Sequence, residues 1–181
     1  TIIMQLGKIC AAAMLASMYV GTAEAAVTGE TCTAQAKNKE VTYTLSGADS
    51  ATCFDEQNPG GGSSITFGGL TYALGDKQSD TDDEGDKKVF FTTAPADGAA
   101  SPAAWAIGTD LGPTEMVDAV LVLLKQAKSY AIFEITNGVT SGQWEVEDEK
   151  DGTNVLSHAS VWYTTKPVAP VPVPAALPLL A

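Results

Sequence analysis

The sequence predicts a mainly β protein: an antiparallel β-sandwich that follows an N-terminal signal peptide and precedes a proline-rich C-terminal tail. Three observations indicate this fold class. Polar and apolar residues alternate along most readable segments, β-branched and aromatic residues are frequent in those segments, and turn residues separate them at short intervals. Helical periodicity is scarce. We therefore expect one domain, over residues 26–166, with a modest core.

The first 25 residues have the pattern of a secretory signal peptide. Lys8 supplies a positive charge, residues 9–20 are apolar, and Ala23 and Ala25 form the small-residue site that signal peptidase reads. The apolar run is shorter than the about 20 residues that a membrane-spanning helix needs. We therefore expect residues 1–25 to be removed on export, and a buried N-terminal helix is the alternative.

Short strands are expected wherever polar and apolar residues alternate between turn residues. These segments are residues 40–45, 65–67, 70–74, 89–92, 105–107, 142–146 and 155–163. Gly68 and Gly69 predict a bulge or tight bend between two of them. Segment 76–88 is almost wholly charged or polar and predicts an exposed loop, and segment 94–102 is rich in Ala, Gly and Pro and is expected to be irregular.

Segment 116–135 is the ambiguous part of the pattern, because the mean apolarity of residues 117–124 would also suit a helix. A strand is favoured, since the run is rich in β-branched residues and follows a Gly-Pro pair. Residues 125–128 provide a polar turn, and residues 129–135 form a second strand. The segment therefore predicts a β-hairpin.

The cysteines predict one disulfide. Cys10 lies in the signal peptide, so Cys32 and Cys53 remain as a pair in a protein expected to enter an oxidising compartment. Closing a loop of about 20 residues contributes about 3 kcal/mol in the chain-entropy description. A metal site is the rival interpretation, but two cysteines and the single distant His158 fall short of a four-ligand spacing motif.

The charge balance excludes one class of partner. The formal net charge is −12, from 22 acidic and 10 basic residues, and the basic residues are all lysines. Such a surface repels phosphate backbones and anionic membrane surfaces, so we expect no nucleic-acid binding. An acidic composition is also common in proteins that must stay soluble outside the cell.

One acidic segment is the candidate cation site. The segment has oxygen ligands at alternate positions and a glycine at its sixth position, and the ligands are Asp80, Asp82, Glu84 and Asp86. This pattern matches the start of a calcium loop. Phe91 stands at the twelfth position, where an EF-hand has a bidentate Glu, so the segment is not an EF-hand. Calcium is the one cofactor that the sequence suggests, and a merely solvated loop is the alternative. A second acidic cluster, over residues 145–151, has the same two interpretations.

No residue is expected to be catalytic. His158 is the obvious candidate, but the adjacent Ser157 points to the opposite face of a strand, and the sequence has no nucleophile elbow. Carboxylates are so abundant that a glycosidase pair would rest on their number alone. Trp105, Trp144 and Trp162 would stack sugars only if they formed an exposed row, whereas core packing is usual for tryptophans in strands.

The composition changes abruptly to alternating prolines in the tail, over residues 167–181, which predicts a semi-rigid extended linker. Within it stand Val171, Pro172, Val173, Pro174 and Ala175. This motif resembles the Val-Pro-Leu-Pro-Ala variant of the PEP-CTERM sorting signal, with Val173 in the Leu place. In that family a hydrophobic helix and an Arg-rich tail follow the motif. Neither follows here before Ala181, so a truncated sequence and a different Pro-rich tail are the alternatives.

A second resemblance supports the first. The stretch from Trp105 through residues 120–125, with residues 141–144 and 156–163, looks like the C-terminal half of many such exported proteins, in which a similar strand closes a β-sandwich before the tail. The family implies surface delivery in Gram-negative bacteria that make exopolysaccharide. It implies an exosortase-type processing enzyme and exopolysaccharide as partners, with membrane contact only through a C-terminal helix that this sequence does not include.

The sequence therefore predicts an exported structural protein, associated with the cell surface or the extracellular matrix and without catalysis. Its expected location is the periplasm, the cell surface or the matrix. A secreted calcium- or carbohydrate-binding module is the alternative, and a hydrolase is the third interpretation.

Overall fold

The computed structural model describes residues 27–36, 39–59, 61–78, 83–95, 101–148 and 156–169. Within these ranges the regular structure consists of β-strands. They are β1 (Glu30–Ala36), β2 (Lys39–Leu45), β3 (Ser50–Asp55), β4 (Ser64–Phe67), β5 (Leu70–Gln78), β6 (Asp83–Glu84), β7 (Val89–Thr93), β8 (Ala103–Thr109), β9 (Glu115–Gln126), β10 (Ser129–Ile135), β11 (Ser141–Asp148) and β12 (His158–Pro167).

The strands form two antiparallel sheets. The first sheet has the order β1-β2-β11-β8-β7, and the second has the order β3-β10-β9-β12-β5-β4, with β6 also paired to β5. The second sheet curls into a half-barrel. This architecture confirms the predicted mainly β, sandwich-like fold, and the hairpin of β9 and β10 confirms the strand interpretation of segment 116–135.

The central strand β9 explains why that segment looked helical. Val120, Val122 and Leu124 face the main core between the sheets, whereas Leu121 and Leu123 face the inside of the half-barrel. A strand that is buried on both faces needs a continuous apolar run rather than an alternating one. Mean apolarity therefore could not distinguish it from a buried helix.

A second, smaller core fills the concave side of the half-barrel. Tyr72 of β5, Ile132 of β10 and Trp162 of β12 are 0%, 1% and 1% exposed there. The Tyr72 hydroxyl donates a hydrogen bond to Glu134 Oε1 of β10 at 3.2 Å, although β12 and β9 lie between the two strands. The curl of the sheet brings these side chains into contact across its concave face.

A disulfide closes one side of the sandwich. Cys32 in β1 of the first sheet is bonded to Cys53 in β3 of the second, with their Cα atoms 5.7 Å apart. The pairing is the one that the cysteine count predicted. The two strands that carry it were not predicted, because β1 and β3 hold few large apolar residues.

A buried carboxylate closes the opposite side. Asp76 in β5 is 1% exposed and accepts hydrogen bonds from Lys87 Nζ at 2.5 Å and from the backbone N–H of Phe91 in β7 at 2.9 Å. Phe91 belongs to the first sheet and Asp76 to the second. The predicted exposed loop over segment 76–88 is therefore wrong at its start, where β5 continues to Gln78 and buries Asp76.

Gly68 and Gly69 form the tight bend that the sequence predicted. They connect β4 to β5 in a two-residue hairpin, with φ angles of 56° and 82°. Positive φ at both central positions is the geometry of the hairpin turn that matches strand twist, and glycine adopts it without steric cost. The hairpin places β4 at the edge of the half-barrel.

Candidate ligand-binding groove

The half-barrel is open at one end, where β9 ends and β12 begins. The opening, which we call the half-barrel groove, has a volume of about 840 Å³. Leu74, Leu123 and Trp162 line its apolar part. Loop residues 61–63 and the turn around Gly85 also line it. Mouths of β-barrels are frequent ligand sites, because strand ends and loops bring polar groups around an apolar interior.

Two of the acidic residues predicted as calcium ligands lie on one wall of the groove. Glu84 Oε2 accepts a hydrogen bond from Lys77 Nζ at 3.1 Å, across the pairing of β5 with β6. Asp86 Oδ2 accepts from the hydroxyl of Tyr163 at 2.5 Å, and its other oxygen accepts from the backbone N–H of Lys88. Both carboxylates therefore already have protein donors.

The other two predicted ligands, Asp80 and Asp82, lie outside the described residues. Among the residues that the structure does describe, no group of three or more His, Cys, Asp or Glu side chains is arranged to hold a metal ion.

The hydrogen bond from Tyr163 to Asp86 affects the pKa of the tyrosine. Burial, together with the neighbouring Asp86 carboxylate, raises the pKa of Tyr163 well above its ordinary value.

Three residues of β12 reach the groove from the same face of the strand. His158, Ser160 and Trp162 alternate along the chain and all line the groove. The Trp162 indole N–H donates to Ser160 Oγ at 2.9 Å, which fixes the hydroxyl of a residue that is 3% exposed. Ser157 is used elsewhere, since its Oγ accepts from the backbone N–H of Ala127 at 3.0 Å.

Lys125 is the groove residue that the sequence reasoning missed. The sequence placed it in a polar turn, but β9 continues to Gln126, and the turn consists of Ala127 and Lys128. Lys125 is opposite Tyr130 in β10 and opposite His158 in β12. Its ammonium lies 5.5 Å from the centroid of the Tyr130 ring. Its spacing from Leu121 and Leu123 was the available signal, because alternate residues of a strand share a face.

A buried polar cluster fixes the hairpin that carries Lys125. The Tyr43 hydroxyl contacts Ser129 Oγ at 2.6 Å and accepts a hydrogen bond from the backbone N–H of Gln126 at 3.0 Å. Ser129 Oγ also donates to the carbonyl oxygen of Gln126. Burial raises the pKa of Tyr43 to about 12, despite the hydrogen bonds from its neighbours that lower it. The cluster holds the ends of β9 and β10 against β2.

The tryptophans serve the cores. Trp105, Trp144 and Trp162 are 1%, 0% and 1% exposed, so they do not form an exposed row that would stack sugars. Trp105 and Trp144 lie in the main core, and Trp162 lies in the concave core beneath the groove. Core packing, the usual role of tryptophan in strands, is what the structure shows.

A second opening lies at the other end of the sandwich, between the two sheets. It has a volume of about 630 Å³ and is lined by core residues such as Ile107, Val120 and Ile135. An ion pair between Lys166 Nζ and Asp118 Oδ1, at 2.7 Å, stands at its rim. Its apolar residues are the end of the main core.

Several predicted features fall outside the described residues. They are the signal peptide over residues 1–25 and the sorting motif over residues 171–175. Within the described ranges, no helix has the length and apolarity to cross a membrane. Comparison of the chain with family models, curated proteins and solved structures found no match. The candidate functions therefore depend on the sequence features, the disulfide and the half-barrel groove.

Proposed function

We propose that this chain is an exported structural protein of the cell surface or extracellular matrix, and that its β-sandwich has no catalytic role. The observation that carries the proposal is the disulfide between Cys32 and Cys53, which joins the two sheets. Such bonds form and persist in oxidising compartments. The signal-peptide pattern over residues 1–25 provides the route to such a compartment.

Polar side chains in the described part also support a structural role. The hydroxyl of Ser157 accepts from a turn N–H, and the Asp86 carboxylate accepts from Tyr163. Asp76 joins β5 to β7. These groups hold strands and turns together. A side chain that acts as a nucleophile or general base would have to make different contacts.

The resemblance of the tail suggests how the protein would be delivered to the cell surface. A Val-Pro-Val-Pro-Ala motif over residues 171–175 at the end of a Pro-rich linker favours a sorting signal that an exosortase-type enzyme processes. On this reading the protein belongs to a Gram-negative bacterium that makes exopolysaccharide, and the sandwich would face that matrix.

Export and disulfide formation are tested together by expressing the gene in a Gram-negative host. The chain is expected in the periplasm or the medium, with a mature N-terminus at Ala26 by mass spectrometry. Cys32 and Cys53 are expected to resist maleimide until a reductant is added. A matched variant that lacks residues 2–25 should stay in the cytosol with reactive thiols. A full-length chain that keeps residues 1–25 and free thiols would contradict the proposal.

The half-barrel groove favours a second candidate function, a secreted binding module. Its volume of about 840 Å³ lies within the range of small-ligand sites, and its lining combines apolar side chains with charged and hydroxyl groups. Of the two ligand classes that the sequence suggested, a saccharide suits it better than calcium. Glu84 and Asp86 already accept hydrogen bonds from Lys77 and Tyr163, so a cation would have to displace these donors.

Calcium binding is tested by the thermal midpoint of unfolding in millimolar calcium and in chelator. A ligand that binds only the folded form raises its stability by about 1.4 kcal/mol at ten times its dissociation constant. An unchanged midpoint is the expected result on the saccharide interpretation. A clear rise with calcium, removed by Glu84→Gln and Asp86→Asn, would instead identify a calcium site on this wall.

A further inference from the structure

Lys125 is a half-buried lysine that forms no ion pair within the described ranges, whereas the lysines Lys88 and Lys128, which also lack one there, are exposed. The chain has a net charge of −12, and Lys77, Lys87 and Lys166 each form an ion pair with a carboxylate. Lys125 is half-buried as a residue, its ammonium lies 5.5 Å from the centroid of the Tyr130 ring, and it has no carboxylate partner among the described residues. Partial burial weakens the hydration of a charge, so an anion placed beside this ammonium gains a stronger interaction than it would on the open surface.

A second donor, Ser160, lies on the same concave face, where it pairs with Leu123 two residues before Lys125. Ser160 is 3% exposed and lines the groove on β12, the strand that pairs with β9. Its oxygen accepts the indole N–H of Trp162. Its own hydroxyl proton has no acceptor within the described ranges. A buried hydroxyl that lines a cavity and can still donate is a hydrogen-bond donor for a ligand.

The rest of the groove fits a sugar ring. Leu74 and Leu123 provide an apolar surface. Ser63, whose carbonyl oxygen accepts a hydrogen bond from the backbone N–H of Leu74, lines the groove beside it, together with Gly61 and Gly62. A pyranose ring presents an apolar C–H face and a rim of hydroxyl groups, which matches a site with one apolar side and polar groups around it. The volume of about 840 Å³ accommodates a short saccharide.

The charges of the groove select where an acidic group would lie. Lys125 stands on one wall, near the end of β9. Glu84 and Asp86 stand on the other wall, where like charge would repel a carboxylate, although Lys77 offsets Glu84. The favourable place for an anionic group is therefore the Lys125 side.

We propose that the half-barrel groove binds a short acidic saccharide, a sugar of the uronic-acid class, with its carboxylate against the Lys125 ammonium and the Ser160 hydroxyl. The inference rests on the binding-module candidate function and specifies its ligand. A carboxylate that contacts an ammonium and a hydroxyl accepts charge-assisted hydrogen bonds. These are stronger than the hydrogen bonds that a neutral sugar forms. The apolar side of the groove holds the ring of the same sugar.

The test compares two saccharides that share one backbone and differ in whether the carboxylate is free or methylated. Oligomers of galacturonic acid and the same oligomers after methyl esterification are titrated against the full chain by calorimetry. Lys125→Gln removes the cation, and Lys128→Gln, in the exposed turn of the same hairpin, is the matched control. The acidic oligomer is expected to bind at least about tenfold more tightly than its ester. Lys125→Gln should weaken binding of the acid by about the same factor and leave binding of the ester unchanged, whereas Lys128→Gln should change neither.

The outcomes separate this inference from the candidate function on which it rests. Equal binding of acid and ester, or equal losses in Lys125→Gln and Lys128→Gln, overturns the carboxylate assignment and leaves a saccharide-binding module in place. Acetate or inorganic phosphate that binds as tightly as the acidic oligomer overturns the saccharide assignment. If neither oligomer binds the unmodified chain, both the inference and the binding-module candidate fall. The comparison of acid with ester uses the unmodified chain, so it decides the question even if a variant fails to fold.

Discussion

Replacing Asp76 by Asn tests how strongly one carboxylate holds the two sheets together. In the folded protein this side chain is 1% exposed and accepts hydrogen bonds from Lys87 Nζ, Gln78 Nε2 and the backbone N–H of Phe91. The last of these bonds spans the sheets, since Phe91 lies in β7 and Asp76 in β5. Asn keeps the shape of the side chain but removes its charge.

The magnitude follows from these contacts. A hydrogen bond to a charged group contributes about 1.5–3 kcal/mol. The contribution from Lys87 lies at the lower end, because its side chain is 40% exposed and water screens the pair. The bond from the Phe91 N–H is fully buried and keeps a neutral acceptor in the variant. We therefore expect Asp76→Asn to lower the free energy of unfolding by about 2–3 kcal/mol, and Asp76→Ala to lower it by about 3–5 kcal/mol.

Urea unfolding followed by tryptophan fluorescence measures this loss, because the three tryptophans are buried in the two cores. Asp110→Asn is the matched control, since it makes the same change of charge at an exposed position. It should shift the free energy of unfolding by less than about 0.5 kcal/mol. If Asp76→Asn costs no more than Asp110→Asn, the carboxylate does not hold the sheets together and the reasoning from its contacts is wrong.

Three further predictions concern the disulfide, a close backbone contact and alkaline pH. Reduction of the disulfide, or replacement of Cys32 and Cys53 by Ser, should lower the free energy of unfolding by about 3 kcal/mol, because the bond joins residues 21 positions apart. An unchanged midpoint of urea unfolding in reductant would contradict this. Gly75→Ala should lower the free energy of unfolding by about 1–3 kcal/mol, since a Cβ there would lie 2.2 Å from the Val89 carbonyl oxygen. Gly112→Ala, at a position with open space, should be near neutral. Equal losses of stability in the two variants would refute the steric reason. The pKa of Tyr43 is raised to about 12 in the folded state, so the unfolded chain loses this proton first. The contribution of Tyr43 to stability should therefore be constant below about pH 10 and fall between about pH 10 and 12. Tyr43→Phe should reduce that slope by about 1.4 kcal/mol per pH unit, and an unchanged slope in the variant would exclude Tyr43 as its source.

Local pattern was sufficient for the strands in which polar and apolar residues alternate and for the hairpin of β9 and β10. The hairpin of β9 and β10 follows from two apolar runs around a short polar turn, and the disulfide follows from the count of cysteines left after the signal peptide. Strands β1 and β3 escaped prediction because their stability comes from cross-strand partners and the disulfide rather than from large apolar residues. Thr31 and Thr33, for example, contact Thr44 and Thr42 across β1 and β2.

The candidate groove shows the same division between local and non-local information. Glu84, Asp86 and His158 were singled out from the sequence for other reasons, and the structure brings all three to the lining of one groove. Lys125 was assigned to a turn, because nothing near it in sequence indicates that His158, 33 positions away, lies opposite it. Its half-buried position depends on the pairing of β9 with β12 and on the curl of the sheet.

The sequence by itself determined the mainly β class, the cysteine pairing and the acidic character, because alternation, cysteine number and charge are properties of composition and local order. Only the tertiary structure decided that Asp76 is buried, that the second sheet curls around its own core, and that Lys125, Ser160 and Trp162 meet at its open end. The physical reason is that these contacts join strands far apart in the chain. Their geometry is set by sheet order, register and curvature, which no single segment contains.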